Sequence, residues 1–146
     1  MVERFYILES NLLLPTSNFQ LLTSRIEVVR MELTRKKPAI YVRTLELGAP
    51  ILMQILYGME EEGIPFELKE IESTDVLYES HQAAKESPLL VGVAYLNDQV
   101  VIHYRSLPRD YPVFNEARLA SKDKQFLRAL GANAARLVKG IPFKLV

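Results

Sequence analysis

Glu60-Glu61-Glu62-Gly63-Ile64-Pro65-Phe66 joins a helical pattern to a strand pattern, and the rest of the 146-residue chain can be placed around it. Upstream, Pro50 suits a first helical position, where its missing N–H is not needed. Ile51, Leu52, Ile55, Leu56 and Met59 recur at a spacing that puts them on one helical face, and Gly63 offers a left-handed stop. The spacing therefore predicts a helix over residues 49–62. Its last turn sets three carboxylates where the backbone dipole is already negative, a mismatch of about 0.3–1 kcal/mol for each exposed group. On the helical wheel Glu62 falls beside the apolar face, Glu60 on its flank, and Glu61 points away from the core. Glu61 is then the carboxylate turned outward, toward a metal ion, a basic side chain or water. The plainer reading is three solubilising glutamates at a surface.

About half of the residues are hydrophobic (49%), enough for one domain with a real core and too few residues for two. Lys plus Arg and Asp plus Glu both number 18, so a zero formal net charge gives no general pull toward nucleic acid or acidic membranes. The absence of cysteine removes disulfides, thiolate metal sites and a cysteine nucleophile, and suits a reducing cytoplasm. No apolar run approaches the roughly 20 residues of a membrane span, and no basic segment leads into a clean apolar region as in a secretory signal.

Residues 1–37 read as an appendage. Phe5-Tyr6-Ile7-Leu8 and Leu12-Leu13-Leu14 are short apolar clusters with neither period sustained, and Ile26–Leu33 runs into Arg35-Lys36-Lys37. An internal natural start at Met31 is one expectation, because Glu27-Val28 can be encoded by a purine-rich stretch resembling a ribosome-binding site. The intact mass of the natively expressed protein tests it.

From Pro38 the pattern is regular. Residues 39–45 are rich enough in β-branched and aromatic side chains for a strand, and residues 66–71 alternate as a half-buried strand does. Ser73 or Thr74 is expected to cap a helix over 75–86, limited by Pro88. Strand, helix, strand, helix implies a parallel pair with right-handed crossovers. Residues 89–95 are continuously apolar, as in a central strand covered on both faces. Asn97-Asp98 predicts a tight turn into an antiparallel strand over 100–104. Residues 105–118 read as a loop, and residues 121–139 as a helix or a pair of helices broken near Gly131, with Gly140 as stop.

Candidate chemistry is sparse. His103 sits in a strand with Ile102 and Tyr104 pointing the opposite way, so it is expected to face a partner or solvent; His81 reads as packing or surface. Neither has an acid at a spacing that makes a triad or metal site, and Gly131-Ala132-Asn133 has one glycine where a dinucleotide fingerprint needs three. Arg136 and Lys139 share a helical face and can pair with Glu60–Glu62 inside the domain or with acids on a partner, the internal pairing being favoured. The residues alone thus specify a soluble α/β domain without a convincing active site.

Four stretches carry a resemblance: Glu60–Phe66, Ser87-Pro88-Leu89-Leu90-Val91-Gly92, His103-Tyr104-Arg105-Ser106-Leu107-Pro108, and Asn133–Phe143. Together, in order from Pro38 to Phe143, they resemble the small subunit of diol/glycerol dehydratase reactivating factors, with a modest departure around Gly131-Ala132. The resemblance implies a three-layer α/β/α domain with a mixed, mostly parallel sheet containing one antiparallel strand. It also implies a non-catalytic chain that pairs with a large Hsp70-like ATPase subunit, two of each forming a heterotetramer. Such factors reactivate adenosylcobalamin-dependent dehydratases by exchanging subunits with them and releasing damaged cobalamin. In that family a glutamate of the acidic run ligates Mg2+ at the interface with the large subunit, and it falls on Glu61; Glu60, Glu62, His103, Arg136 and Lys139 are expected at that interface. No cobalamin or nucleotide is expected on this chain alone, and the expected location is cytoplasmic, with association with a bacterial microcompartment left open. The other readings are a medium-subunit-like component of a dehydratase, against which the short loops argue, and a small-molecule-binding α/β domain using the carboxyl ends of its parallel strands.

Overall fold

A computed structural model describes residues 37–146, so the expectations for the appendage and for Met31 lie outside the described residues. The elements in order are β1 (Ile40–Thr44), α1 (Pro50–Glu61), β2 (Phe66–Glu70), α2 (Val76–Glu86), β3 (Val91–Leu96), β4 (Gln99–Tyr104), β5 (Phe114–Glu116), a 3₁₀ turn (Leu119–Ser121) and α3 (Lys124–Lys139).

The sheet order is β2-β1-β3-β4-β5. β1 is parallel to β2 and β3, whereas β4 is antiparallel to both β3 and β5, so β4 alone runs against the rest. Asn97 and Asp98 both adopt positive φ (50° and 61°), which is what a two-residue turn matched to strand twist requires. The sequence reading placed residues 105–118 in a loop; β5 lies inside that stretch, three residues held by pairing to β4. A strand so short, preceded by Pro112, carries no period of its own.

Alternation along the strands sorts the layers. The row Val42, Val93, Ile102 joins the buried cluster of Leu52, Ile55, Leu56 and Met59 from α1 and Leu127, Leu130 and Ala134 from α3. The row Tyr41, Gly92, His103 faces the other way, under α2: a Cβ on Gly92 would lie 2.2 Å from the backbone nitrogen of Ala84. Only glycine lets α2 sit this close to the sheet. Ser87 ties the two together, its hydroxyl donating to the Ala39 carbonyl at 2.6 Å and accepting from the Leu89 N–H at 3.1 Å. The N-cap of α2 is Asp75, which accepts from the Tyr78 N–H at 3.1 Å, in place of the expected Ser73 or Thr74. Ser73 instead accepts from the Asp75 N–H.

The expected break at Gly131 is absent. α3 runs through it without interruption, because Gly131 is where α1 crosses: a Cβ there would fall 1.7 Å from the Ile55 carbonyl oxygen, and one on Gly58 would fall 2.0 Å from the Arg128 carbonyl oxygen. The two helices are in backbone contact through a pair of glycines.

Candidate functional site

α1 ends in the geometry that Gly63 foretold. The Gly63 N–H donates to the Glu60 carbonyl at 2.9 Å and the Ile64 N–H to the Met59 carbonyl at 3.3 Å, with Gly63 at φ +76°. This six-to-one closure satisfies the last carbonyls of the helix and turns the chain toward β2.

The three carboxylates meet different fates. Glu62, only 13% exposed along its side chain, accepts from Arg136 Nε at 3.0 Å, from Arg136 Nη2 at 3.5 Å and from Lys139 Nζ at 3.3 Å. The Arg136 hydrogen bond is the main reason its carboxyl is held below the usual range, opposed by partial burial and reinforced by Lys139. Arg136 also donates to the Pro142 carbonyl at 3.0 Å. Glu61 is half exposed and faces Arg128 Nη1 at 3.4 Å, a group equally exposed. Glu60 is exposed, and no ion pair holds it among the described residues. Among the described residues, the helix end that lacked a cation therefore has three, all from α3. Glu61 is outward, as the wheel indicated, but an arginine the sequence reading did not single out already stands beside it.

His103 is fully buried, which overturns its expected exposure. β4 is covered on both faces, so alternation carries no signal there. Its Nδ1 accepts from the Tyr104 N–H at 3.0 Å, its Nε2 donates to the Arg109 carbonyl at 2.9 Å, and its ring lies 4.7 Å from that of His81. The pair anchors the segment after β4. Burial, then His103, then Lys85 push His81 below its ordinary 6.5. Between β1 and α2, buried Arg43 pairs with Glu79 at 3.3 Å and with Glu86, a charged network that no local pattern announces.

The carboxyl ends of β1 and β3, where the chain departs to opposite sides of β1, hold a cavity of about 230 Å³ lined by Thr44, Leu45, Glu46, Tyr95, Asn97 and Asp98. This is the position at which open α/β sheets take ligands. Burial first, then Asp98 and Glu46, raise the Tyr95 phenol above its usual value, so it stays a proton donor. Among the described residues no group of three His, Cys, Asp or Glu converges to hold a metal, and no helix is long and apolar enough to cross a membrane.

The family model for the dehydratase medium subunit matches residues 37–144. The chain belongs to the dehydratase medium-subunit family. Within it, the chain is 42% identical over 114 residues to the propanediol dehydratase-reactivating factor small subunit of Citrobacter freundii, an alignment covering 78% of this chain and 97% of the relative. Among solved structures it is similar to a diol dehydratase-reactivating factor complexed with ADP and Mg2+, at TM-score 0.70 and 42% identity over 75% of this chain and 99% of the other. A glycerol dehydratase reactivase matches at TM-score 0.69 and 26% identity, covering 75% and 98%. The mixed α/β sheet of this medium-subunit-family chain is thus the fold of reactivating-factor subunits. Its curated relatives are named as small subunits, a name that implies a larger one.

Proposed function

We propose that this chain is the non-catalytic small subunit of a reactivating factor for adenosylcobalamin-dependent diol or glycerol dehydratase. The observation that carries the reading is a shared fold: one family model, described by the dehydratase's medium subunit, spans a chain whose relatives are reactivating-factor small subunits. Two proteins with the same fold can occupy the same place in an assembly. Exchange of this chain for the medium subunit would open the dehydratase and release damaged cobalamin, and ATP on the large Hsp70-like subunit would reset the complex. Two large and two small subunits make up the factor, which acts in the cytoplasm.

Glu61 is the residue of this chain that fits an interfacial Mg2+. Its carboxylate is half exposed and, among the described residues, engaged by one arginine, in contrast to Glu62. Mg2+ keeps several waters and takes one or two carboxylates, so a single outward glutamate is an adequate contribution when the partner supplies the rest. Glu60 flanks the site, while Glu62, Arg136 and Lys139 brace the helix end that presents it; buried His103 supports the fold behind the surface. The test is binding of the purified chain to the large subunit with and without Mg2+. Glu61→Gln is expected to weaken binding more with Mg2+ than without, and equal affinities of mutant and wild type in both conditions remove Glu61 from the site.

The cavity at the β1 and β3 ends favours a second reading, a small-molecule-binding domain. Thermal stabilisation of the isolated chain by a small polar ligand supports that reading; none is expected with cobalamin or ATP.

A further inference from the structure

The geometry points to Arg128 as an internal cation that holds the Glu61 carboxylate while the subunit is alone and gives it up to Mg2+ on docking. This inference rests on the metal role proposed above for Glu61.

Arg128 is placed for it by the backbone. The close contact at Gly58 sets the Arg128 carbonyl against α1, one turn before Glu61, so the side chain starts from a fixed point. From there the guanidinium has three contacts among the described residues. Its Nε donates to Gln54 Oε1 at 3.1 Å, its Cζ lies over the Tyr57 ring at 5.8 Å from the centroid, and its Nη1 reaches Glu61 Oε1 at 3.4 Å. Only the last contact is with a charged group, and it is the longest of the hydrogen bonds. Nη1 can therefore let go of Glu61 while Gln54 and Tyr57 keep the side chain on the domain.

The neighbouring carboxylate is built differently. Glu62 has cations on both oxygens and little exposure, so metal would have to break three contacts to reach it. At Glu61, among the described residues, one half-exposed contact stands in the way. Mg2+ bound to the same carboxylate would bring a double positive charge beside the guanidinium, in a region that a docked partner shields from water, where like charges repel more strongly. The two cations are alternatives. In the lone subunit Arg128 neutralises the carboxylate at the negative end of α1; in the complex the metal does.

The test is the Mg2+ concentration for half-maximal docking of the full chain on the large subunit, followed by fluorescence anisotropy for wild type, Arg128→Ala, Arg128→Lys and Glu61→Gln. Removing an exposed pair should lower the midpoint for Arg128→Ala by about two- to five-fold. With the metal chelated, the same variant should dock more weakly than wild type, because Glu61 is then left unneutralised. Arg128→Lys should return the midpoint toward wild type. A merely structural role would instead weaken docking equally in both conditions. If Glu61→Gln abolishes the Mg2+ dependence while Arg128→Ala leaves the midpoint unmoved, the inference is overturned and the metal role stands. If Glu61→Gln keeps the wild-type Mg2+ dependence, the metal role falls and the inference with it.

Discussion

Gly131→Ala separates two forces that act in opposite directions. In an ordinary helix interior the change stabilises, since alanine exceeds glycine in helix propensity by about 1 kcal/mol. Here the added Cβ would lie 1.7 Å from the Ile55 carbonyl oxygen and 2.7 Å from its carbon. Both are backbone atoms, so no rotamer relieves the clash, and the distance must open beyond 3.0 Å by moving α1 from α3. That separation loosens a seam in which Ile55, Leu130 and Ala134 are fully buried. Overpacking in a tight core costs about 1–3 kcal/mol, and a backbone clash belongs at the upper end, so the net loss is about 2 kcal/mol. For a domain of this size the melting temperature should fall by about 10 °C. Differential scanning calorimetry reads it directly, with Gly48→Ala as control: nothing lies within 4 Å of a Cβ there, so its shift should stay within about 0.5 kcal/mol. A melting temperature for Gly131→Ala at or above wild type would refute the close crossing and restore the broken helix that the sequence alone allowed.

Three further outcomes follow from the same contacts. The Glu62 carboxyl is held low in the folded state by Arg136, so its stabilising contribution is present above the ordinary carboxylate value of 4.5 and is lost as pH falls through the lower folded value; Glu62→Gln should destabilise at neutral pH and flatten the acid limb of a stability-versus-pH curve. His81 is pushed below 6.5 by burial, His103 and Lys85, so the fold favours its neutral form and loses stability as pH falls below about 6.5; His81→Gln should remove that loss, as chemical denaturation at pH 7.5 and 5.5 will tell. Buried Asn133 holds the last residues by donating to the Lys144 carbonyl at 3.0 Å and accepting its N–H at 2.6 Å; Asn133→Ala should cost about 1 kcal/mol and speed amide exchange at Lys144, leaving β3 unchanged.

Local chemistry was legible and most long-range chemistry was not. Pro50 and Gly63 bracket α1, and Asn97-Asp98 make the hairpin, because each such residue satisfies a backbone requirement within a few positions of itself. Gly131 misled because glycine in a helix reads the same whether it breaks the helix or admits a neighbour; Ile55, which decides, lies far away in sequence. His103 misled because alternation tells inside from outside only on a one-sided strand. The acidic run announced a need for cations, and Arg136 and Lys139 were identified as able to answer it. Arg128, 67 residues from Glu61, was missed because its place depends on how closely α1 and α3 cross. Arg43 with Glu79 and Glu86 was missed for the same reason: nothing in a strand shows which helix will cover it.

The most direct test of the account is co-purification of the tagged chain from cells that express it naturally, in the presence of Mg2+, with mass identification of what it carries. Recovery of a large ATPase reactivating-factor subunit, or of dehydratase subunits, is the predicted result. Recovery of the chain alone, from cells shown to express both the dehydratase and that ATPase, would contradict it.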